Sequence, residues 1–191
     1  MKTILVCNQK GGVGKTLISD EIAFALERDK VPFSYFDLDS QGGALHQNQE
    51  NENAAVQVID TPGAIQSDMM QWIEASDMII VPTKLTLRDQ QPLETMIKIL
   101  EPYQKQKSIL YVLNGWNRYN ASNQFTEWFW ETYPDLQSAI LSQSELFNAA
   151  AGMNESIVDM KPSSTPAQQI VGIYSIVKYA LGLTRYAKLY A

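Results

Sequence analysis

Thr3-Ile4-Leu5-Val6-Cys7-Asn8-Gln9-Lys10-Gly11-Gly12-Val13-Gly14-Lys15-Thr16 is the stretch on which the fold turns. It opens with a short apolar run that stops at turn-forming residues, the mark of a buried parallel strand. Three glycines follow. Beyond them Ile18, Ile22, Ala25 and Leu26 recur at helical spacing over residues 17–28. A strand, a glycine turn and a helix N-terminus in that order make a cradle for phosphate. Backbone N–H groups converge with no side chain in the way, and the helix dipole stands behind them. Gly11, Gly12, Val13 and Gly14 supply the turn, and Leu17 closes the nucleotide-binding stretch. Lys15 is placed to reach the β- and γ-phosphates, and Thr16 to set its hydroxyl on Mg²⁺. Gln9 stands where the general phosphate-loop pattern has its first glycine, and a second lysine, Lys10, precedes the glycines.

Outward from this loop, strand and helix signals alternate. Residues 33–38, 56–60, 78–81 and 109–113 read as strands, with a short one at 139–141. Pro82 is expected to close the strand at 78–81. Residues 69–75, 91–103, 123–133, 145–151 and 167–181 read as helices. The last should present Ile170, Val171, Tyr174, Val177 and Leu181 on one face. The alternation predicts an α/β fold: a mostly parallel twisted sheet with helices on both faces. A length of 191 residues predicts a single domain. The polar stretch 47–53 is expected to be a mobile surface loop. In Glu127-Trp-Phe-Trp-Glu131, successive rings cannot all face inward on a helix, so at least one should be exposed.

Composition narrows the chemistry. The net charge of −6 argues against a general basic coat for nucleic acid. Residues 161–191 nevertheless carry Lys161, Lys178, Arg185 and Lys188 and no acid, which marks Lys178, Arg185 and Lys188 as candidate DNA contacts. Cys7 is the only cysteine and His46 the only histidine, so disulfide frameworks and multi-histidine metal sites are excluded. Cys7 should be a small buried hydrophobe, and His46 a loop residue without a catalytic part. No apolar run approaches the ~20 residues of a membrane span. The N-terminal apolar stretch is too short for a secretory signal, so a cytoplasmic location is expected.

Acidic residues supply the partners that a phosphate loop needs. Asp60 ends the strand Val58-Ile59-Asp60 and is followed by Thr61-Pro62-Gly63, where ligands bind in open α/β sheets. Asp39 is assigned to the nucleotide and Asp37 to support at its strand end. Asn114, at the end of Val112-Leu113-Asn114, offers a donor and an acceptor to an adenine edge.

Lys10-Gly11-Gly12-Val13-Gly14-Lys15-Thr16 resembles the deviant Walker A motif of the ParA/MinD family of P-loop ATPases, most like the small ParA-type partition ATPases. Tyr35-Phe36-Asp37-Leu38-Asp39-Ser40-Gln41, the Asp60 turn and Ser76-Asp77-Met-Ile-Ile-Val-Pro82-Thr83 resemble that family's later motifs. The resemblance implies slow, partner-stimulated, Mg²⁺-dependent hydrolysis of ATP to ADP. It gives Lys10, Lys15 and Asp39 catalytic parts: Lys10 reaches a partner's nucleotide across a dimer interface, and Asp39 orients the attacking water. Thr16, Asp39 and Asp60 become the Mg²⁺ partners. It further implies a homodimer with ATP, non-specific DNA binding in that state, nucleoid association, and a centromere-binding or adaptor protein. A MinD-like membrane-associated ATPase and a nucleotide-gated scaffold with negligible turnover are the alternatives. Leu17 stands where a second hydroxyl residue is common, and Ser40 replaces the usual proline. No residues precede the first strand, so the DNA-binding domain of larger partition ATPases is expected to be missing.

Overall fold

A computed structural model describes residues 1–39, 42–63 and 69–183. Among the described residues six strands form one sheet: β1 (Lys2–Val6), β2 (Phe33–Asp37), β3 (Val56–Asp60), β4 (Met78–Lys84), β5 (Ser108–Trp116) and β6 (Ser138–Ser142). Their order is β2-β3-β1-β4-β5-β6, and every pairing is parallel. The helices are α1 (Lys15–Arg28), α2 (Met69–Ala75), α3 (Leu87–Leu100), α4 (Asn120–Thr132), α5 (Leu146–Gly152), α6 (Ile157–Met160) and α7 (Thr165–Leu181).

Parallel strands need crossovers, and the crossovers cover both faces. Alternate residues of β1, with Cys7 just after it, therefore serve two cores. Ile4 and Val6 pack under α1 and α7, while Leu5 and Cys7 pack on the side of α2, α3 and α4. Each fully buried Ile or Leu contributes roughly 1.5–3 kcal/mol of apolar burial. From β1 the chain turns to one side, to β2 by way of α1. From β3 it crosses to the other side of β1, to β4 by way of α2. The crevice at the C-terminal end of β1 is thus the point where strand order reverses, and such points bind ligands.

The strand at 78–81 does not end at Pro82. β4 runs on to Lys84, with Pro82 in register with Val112. The carbonyl of Ile80 accepts from the N–H of Cys7, one residue past β1, so Pro82, two residues on, faces the same side. There β1 has stopped pairing at Ile80, and the missing proline N–H leaves no ladder partner unsatisfied. Helix α3 begins at Leu87 rather than 91 and contains Pro92. α4 starts three residues earlier than expected, and the short α6 has no strong periodic signal. On α7, Val171 is 48% exposed and Ile173 takes the inward place.

The Trp-Phe-Trp segment divides as helix geometry requires. Phe129 is fully buried against Tyr111, while Trp130 is exposed and donates its indole N–H to Ser138 Oγ (3.1 Å). The segment after β2 is irregular and largely exposed, as expected, and is tied back to the body at two places. Gln49 exchanges both backbone hydrogen bonds with Tyr35, at 2.9 Å each, which ties the polar stretch to the sheet edge. His46 lies in this loop, as expected, with its side chain packed inward. Its side chain is 8% exposed and lies among Phe24, Phe33 and Tyr35, with Nδ1 2.8 Å from Asp20 Oδ1.

Candidate functional site

The glycine loop occupies the crevice at the switch point. Gly12 (φ 72°) and Gly14 (φ 100°) sit in the left-handed region, where a side chain would strain the backbone. Gly14 is also the N-cap of α1 and caps with no side chain, so the first amides of a 14-residue helix face the loop's concave side. Asn8 anchors the entry. Its Nδ2 donates to the Pro82 carbonyl (2.7 Å), and its Oδ1 accepts from Lys10 N–H (3.0 Å). Gly63, in the turn after β3, packs on the loop from the other side. A Cβ there would lie 2.9 Å from Gly11 Cα and 3.0 Å from Gly11 N.

Lys15 is 6% exposed, and its Nζ donates to the Lys10 carbonyl at 3.2 Å. Burial pulls its pKa down, while the charges of Asp60 and Asp39 push it up. Both sequence-assigned acids therefore lie within electrostatic reach of this lysine. Asp39 is held by its backbone: its N–H donates to Asp37 Oδ1 (2.9 Å), and Asn48 Oδ1 accepts from Asp37 N–H (2.6 Å). Asp37 thus braces the segment that carries Asp39.

Asp60 is wholly buried, and neither carboxylate oxygen receives a hydrogen bond from a described residue. Burial raises its pKa to about 7. The Thr16 hydroxyl approaches and pulls the other way, Asp37 pushes further up, and Lys15 pulls down. A buried carboxylate with two orphaned oxygens beside a threonine hydroxyl fits a hydrated divalent cation. Among the described residues, no three His, Cys, Asp or Glu side chains form a self-sufficient metal cage. Mg²⁺ does not require such a cage, since it binds through one or two carboxylates plus phosphates and waters.

Lys10 is held within its own chain. Its Nζ lies 2.5 Å from Asp89 Oδ1 and donates to the Arg88 carbonyl at 3.2 Å. The second contact follows from Pro92. In α3 the Arg88 carbonyl would normally accept from the N–H four residues on, and proline has none. The freed acceptor is taken by Lys10. Asp89 is fixed in turn by the Thr86 hydroxyl. Sequence reading missed Asn8, Asp89 and Pro92; a proline inside a helical pattern is the signal that marks the freed carbonyl.

Asn114 is 5% exposed, and its Nδ2 donates to the Val13 carbonyl at 2.7 Å. Leu17 and Thr16 line a cavity of about 170 Å³ with Asp20, Glu21, Leu45 and Phe147. The candidate DNA contact Lys178 lies elsewhere, on α7, paired with Asp29 (3.0 Å) and 5.0 Å from the Tyr174 ring centroid. Arg185 and Lys188 lie outside the described residues. Among the described residues, no helix is long and apolar enough to cross a membrane.

Among curated proteins no sequence matches this chain. Solved structures do resemble it. McdA from Cyanothece, as an ATP complex of a variant, superposes with a TM-score of 0.76 at 17% identity, over 95% of this chain and 96% of that one. The septum site-determining protein MinD of Pyrococcus horikoshii, complexed with Mg-ADP, gives 0.72 at 16% identity, over 98% and 99%. A ParA family ATPase from Chlorobium tepidum gives 0.72 at 14% identity, over 91% and 97%. At these identities the likeness establishes the P-loop NTPase fold. The family model for the CobQ/CobB/MinD/ParA nucleotide binding domain matches residues 4–157. With that match spanning most of the chain, from β1 to the start of α6, the protein belongs to the CobQ/CobB/MinD/ParA nucleotide-binding family.

Proposed function

We propose that the chain is a Mg²⁺-dependent ATP hydrolase working as a nucleotide-gated dimeric switch. The observation that carries this reading is the convergence on one loop of Lys15, Thr16 and the buried, unpartnered Asp60. Binding alone needs the loop amides and Lys15. An orphaned acid beside Thr16 adds the cation partner that phosphoryl transfer uses. Mg²⁺, when bound, neutralises charge on the phosphates, and Thr16, Asp60 and Asp39 are the residues to hold it or its waters. Lys15 and the amides of Gly11, Gly12, Val13 and Gly14 stabilise charge on the transferred phosphoryl. Asp39, carried at the rim by Asp37, positions the attacking water.

Lys10 gives the switch its second component. In the single chain it is tied to Asp89 and the Arg88 carbonyl, both at the start of α3. To serve a partner's nucleotide it must leave them. The finer biological role we propose is partition of a plasmid or chromosome: non-specific DNA binding by the ATP-bound dimer and a centromere-binding or adaptor partner that stimulates turnover. Lys178, Arg185 and Lys188 are the DNA candidates. The Lys178–Asp29 pair makes Lys178 a cation that must be released before it can meet a phosphate.

The test is solution mass and phosphate release together. With an ATP analogue and Mg²⁺ the chain should double in mass, with ADP or no nucleotide it should remain single, and Lys15→Ala should abolish release. A monomer under all three conditions with normal turnover would defeat the switch. DNA retention that appears with ATP and falls steeply with salt would support partition. Retention unchanged after neutralising all three cations would remove that surface from the reading.

A further inference from the structure

The glycine loop is held from beneath by a residue of a distant strand. Asn114 lies near the end of β5, in register with Lys84 of β4 on one side and Leu141 of β6 on the other. From that fixed position its Nδ2 donates to the Val13 carbonyl, a bond at 2.7 Å between residues 101 apart in sequence. The nitrogen must be the atom that faces the carbonyl, since two oxygens at this distance repel. The fit at the neighbouring residue is equally close. A Cβ on Gly14 would come 2.2 Å from Asn114 Nδ2 and 3.3 Å from its Cγ. Only a glycine at 14, with its φ of 100°, lets the amide seat under the turn.

The consequence follows from peptide planarity. The Val13 carbonyl and the Gly14 N–H belong to one trans peptide unit and point in opposite directions. A carbonyl drawn down onto Asn114 sends the Gly14 N–H up, away from the sheet, to the side where the loop opens. If this unit flipped, a carbonyl dipole would face the anion instead of a donor.

We infer that Asn114 is a positioning residue: it locks the Val13–Gly14 peptide in the orientation that receives phosphate, and it does so whatever base the nucleotide carries. The inference rests on the nucleotide-binding reading above. It differs from an adenine-reading role for the same side chain. Base reading acts on one end of the ligand, bracing on the other.

Calorimetry with tripolyphosphate, ADP and GDP, each with Mg²⁺, separates these roles in wild type, Asn114→Ala and the isosteric Asn114→Asp. Loss of the bond should weaken all three ligands by a common factor of about tenfold, the scale of one buried hydrogen bond. Asn114→Asp, which sets an oxygen against the Val13 carbonyl, should weaken them further. The preference between ADP and GDP should not move. Unchanged tripolyphosphate affinity with a collapsed ADP-to-GDP preference would overturn the inference in favour of base reading. Equal affinities in all three proteins would overturn it outright. Amide exchange in the nucleotide-free protein gives an independent arm. Protection over residues 11–16 should fall in Asn114→Ala while the β1 and β4 cores keep theirs. A wild type that binds none of the ligands would refute the nucleotide reading, and the exchange arm would still decide whether Asn114 braces the loop. Loop protection equal to wild type would sink the brace.

Discussion

Asp60→Asn should stabilise the ligand-free protein while disabling it, and the gain should depend on pH in a calculable way. Asp60 is wholly buried and accepts no hydrogen bond from a described residue, and burial raises its pKa from 3.8 to about 7. Below pH 3.8 the carboxyl is neutral in both the folded and unfolded chains and costs nothing extra. Between 3.8 and 7 the unfolded chain ionises and the folded one does not, so stability falls as pH rises. Above 7 the penalty is complete. At 1.36 kcal/mol per unit, this comes to about 2 kcal/mol at pH 5.5 and about 4 kcal/mol at pH 8. Asparagine keeps the shape and the neutral amide's modest desolvation without the charge. The variant should therefore gain roughly those amounts, or roughly 2–4 °C in melting temperature per kcal/mol for a chain of this size. Differential scanning calorimetry without Mg²⁺ or nucleotide reads it directly. Adding Mg²⁺ and an ATP analogue should raise the wild type and leave the variant behind. A gain equal at both pH values, or a variant less stable at pH 8, would refute the idea that the buried charge of Asp60 is under-compensated by Thr16 and Lys15.

Gly63→Ala should lower ADP affinity at least tenfold in calorimetry while folding is retained, because the new methyl meets the backbone of Gly11 and must displace the loop. Pro92→Ala should stabilise the fold by about 1–2 kcal/mol in urea titration, since α3 regains a hydrogen bond. The same change withdraws the Arg88 carbonyl from Lys10, so amine-directed labelling of Lys10 should speed up relative to Lys2. Phe129→Ala should cost about 3–5 kcal/mol and Trp130→Ala under about 1 kcal/mol, since only the first leaves a cavity.

The sheet and the phosphate loop were legible because their signals are local. An apolar run that stops at three glycines can be read in a single window, and so can Val58-Ile59-Asp60 before Thr61-Pro62-Gly63. Pro82 misled because its cost depends on whether β1 still pairs beside it, which is a property of register and not of the residue. Pro92 hid the start of α3 for the converse reason: a helix of 14 residues tolerates one lost bond when another group takes the free carbonyl. His46 does lie in a loop, but its inward packing was not legible because its partners come from elsewhere. Asp20 and Phe24 lie on α1 and Tyr35 on β2. Asn114 could be placed at a strand end, but the atom it would meet, the Val13 carbonyl, is 101 residues away. No periodicity reports a contact of that span.

The two adjacent acids on α1 carry a consequence for how the chain is made. Asp20 accepts from the backbone N–H groups of Leu45 and His46, only 25 and 26 residues on. Glu21 is buried, and burial raises its pKa; its carboxylate accepts from Ser156 Oγ (2.6 Å) and Ile157 N–H (3.0 Å). Those donors lie 135 and 136 residues downstream. At a synthesis rate of about 5–20 residues per second, Asp20 waits a few seconds for its partners and Glu21 roughly 7–27 seconds. Through that interval the helix that begins at the phosphate loop holds one acid already clasped and one with no donor yet made. The N-terminal half of the sheet can assemble early on the ribosome. The seat beneath α1 is finished only when the chain has reached the start of α6, which makes the segment around Ser156 a late lock on an early site.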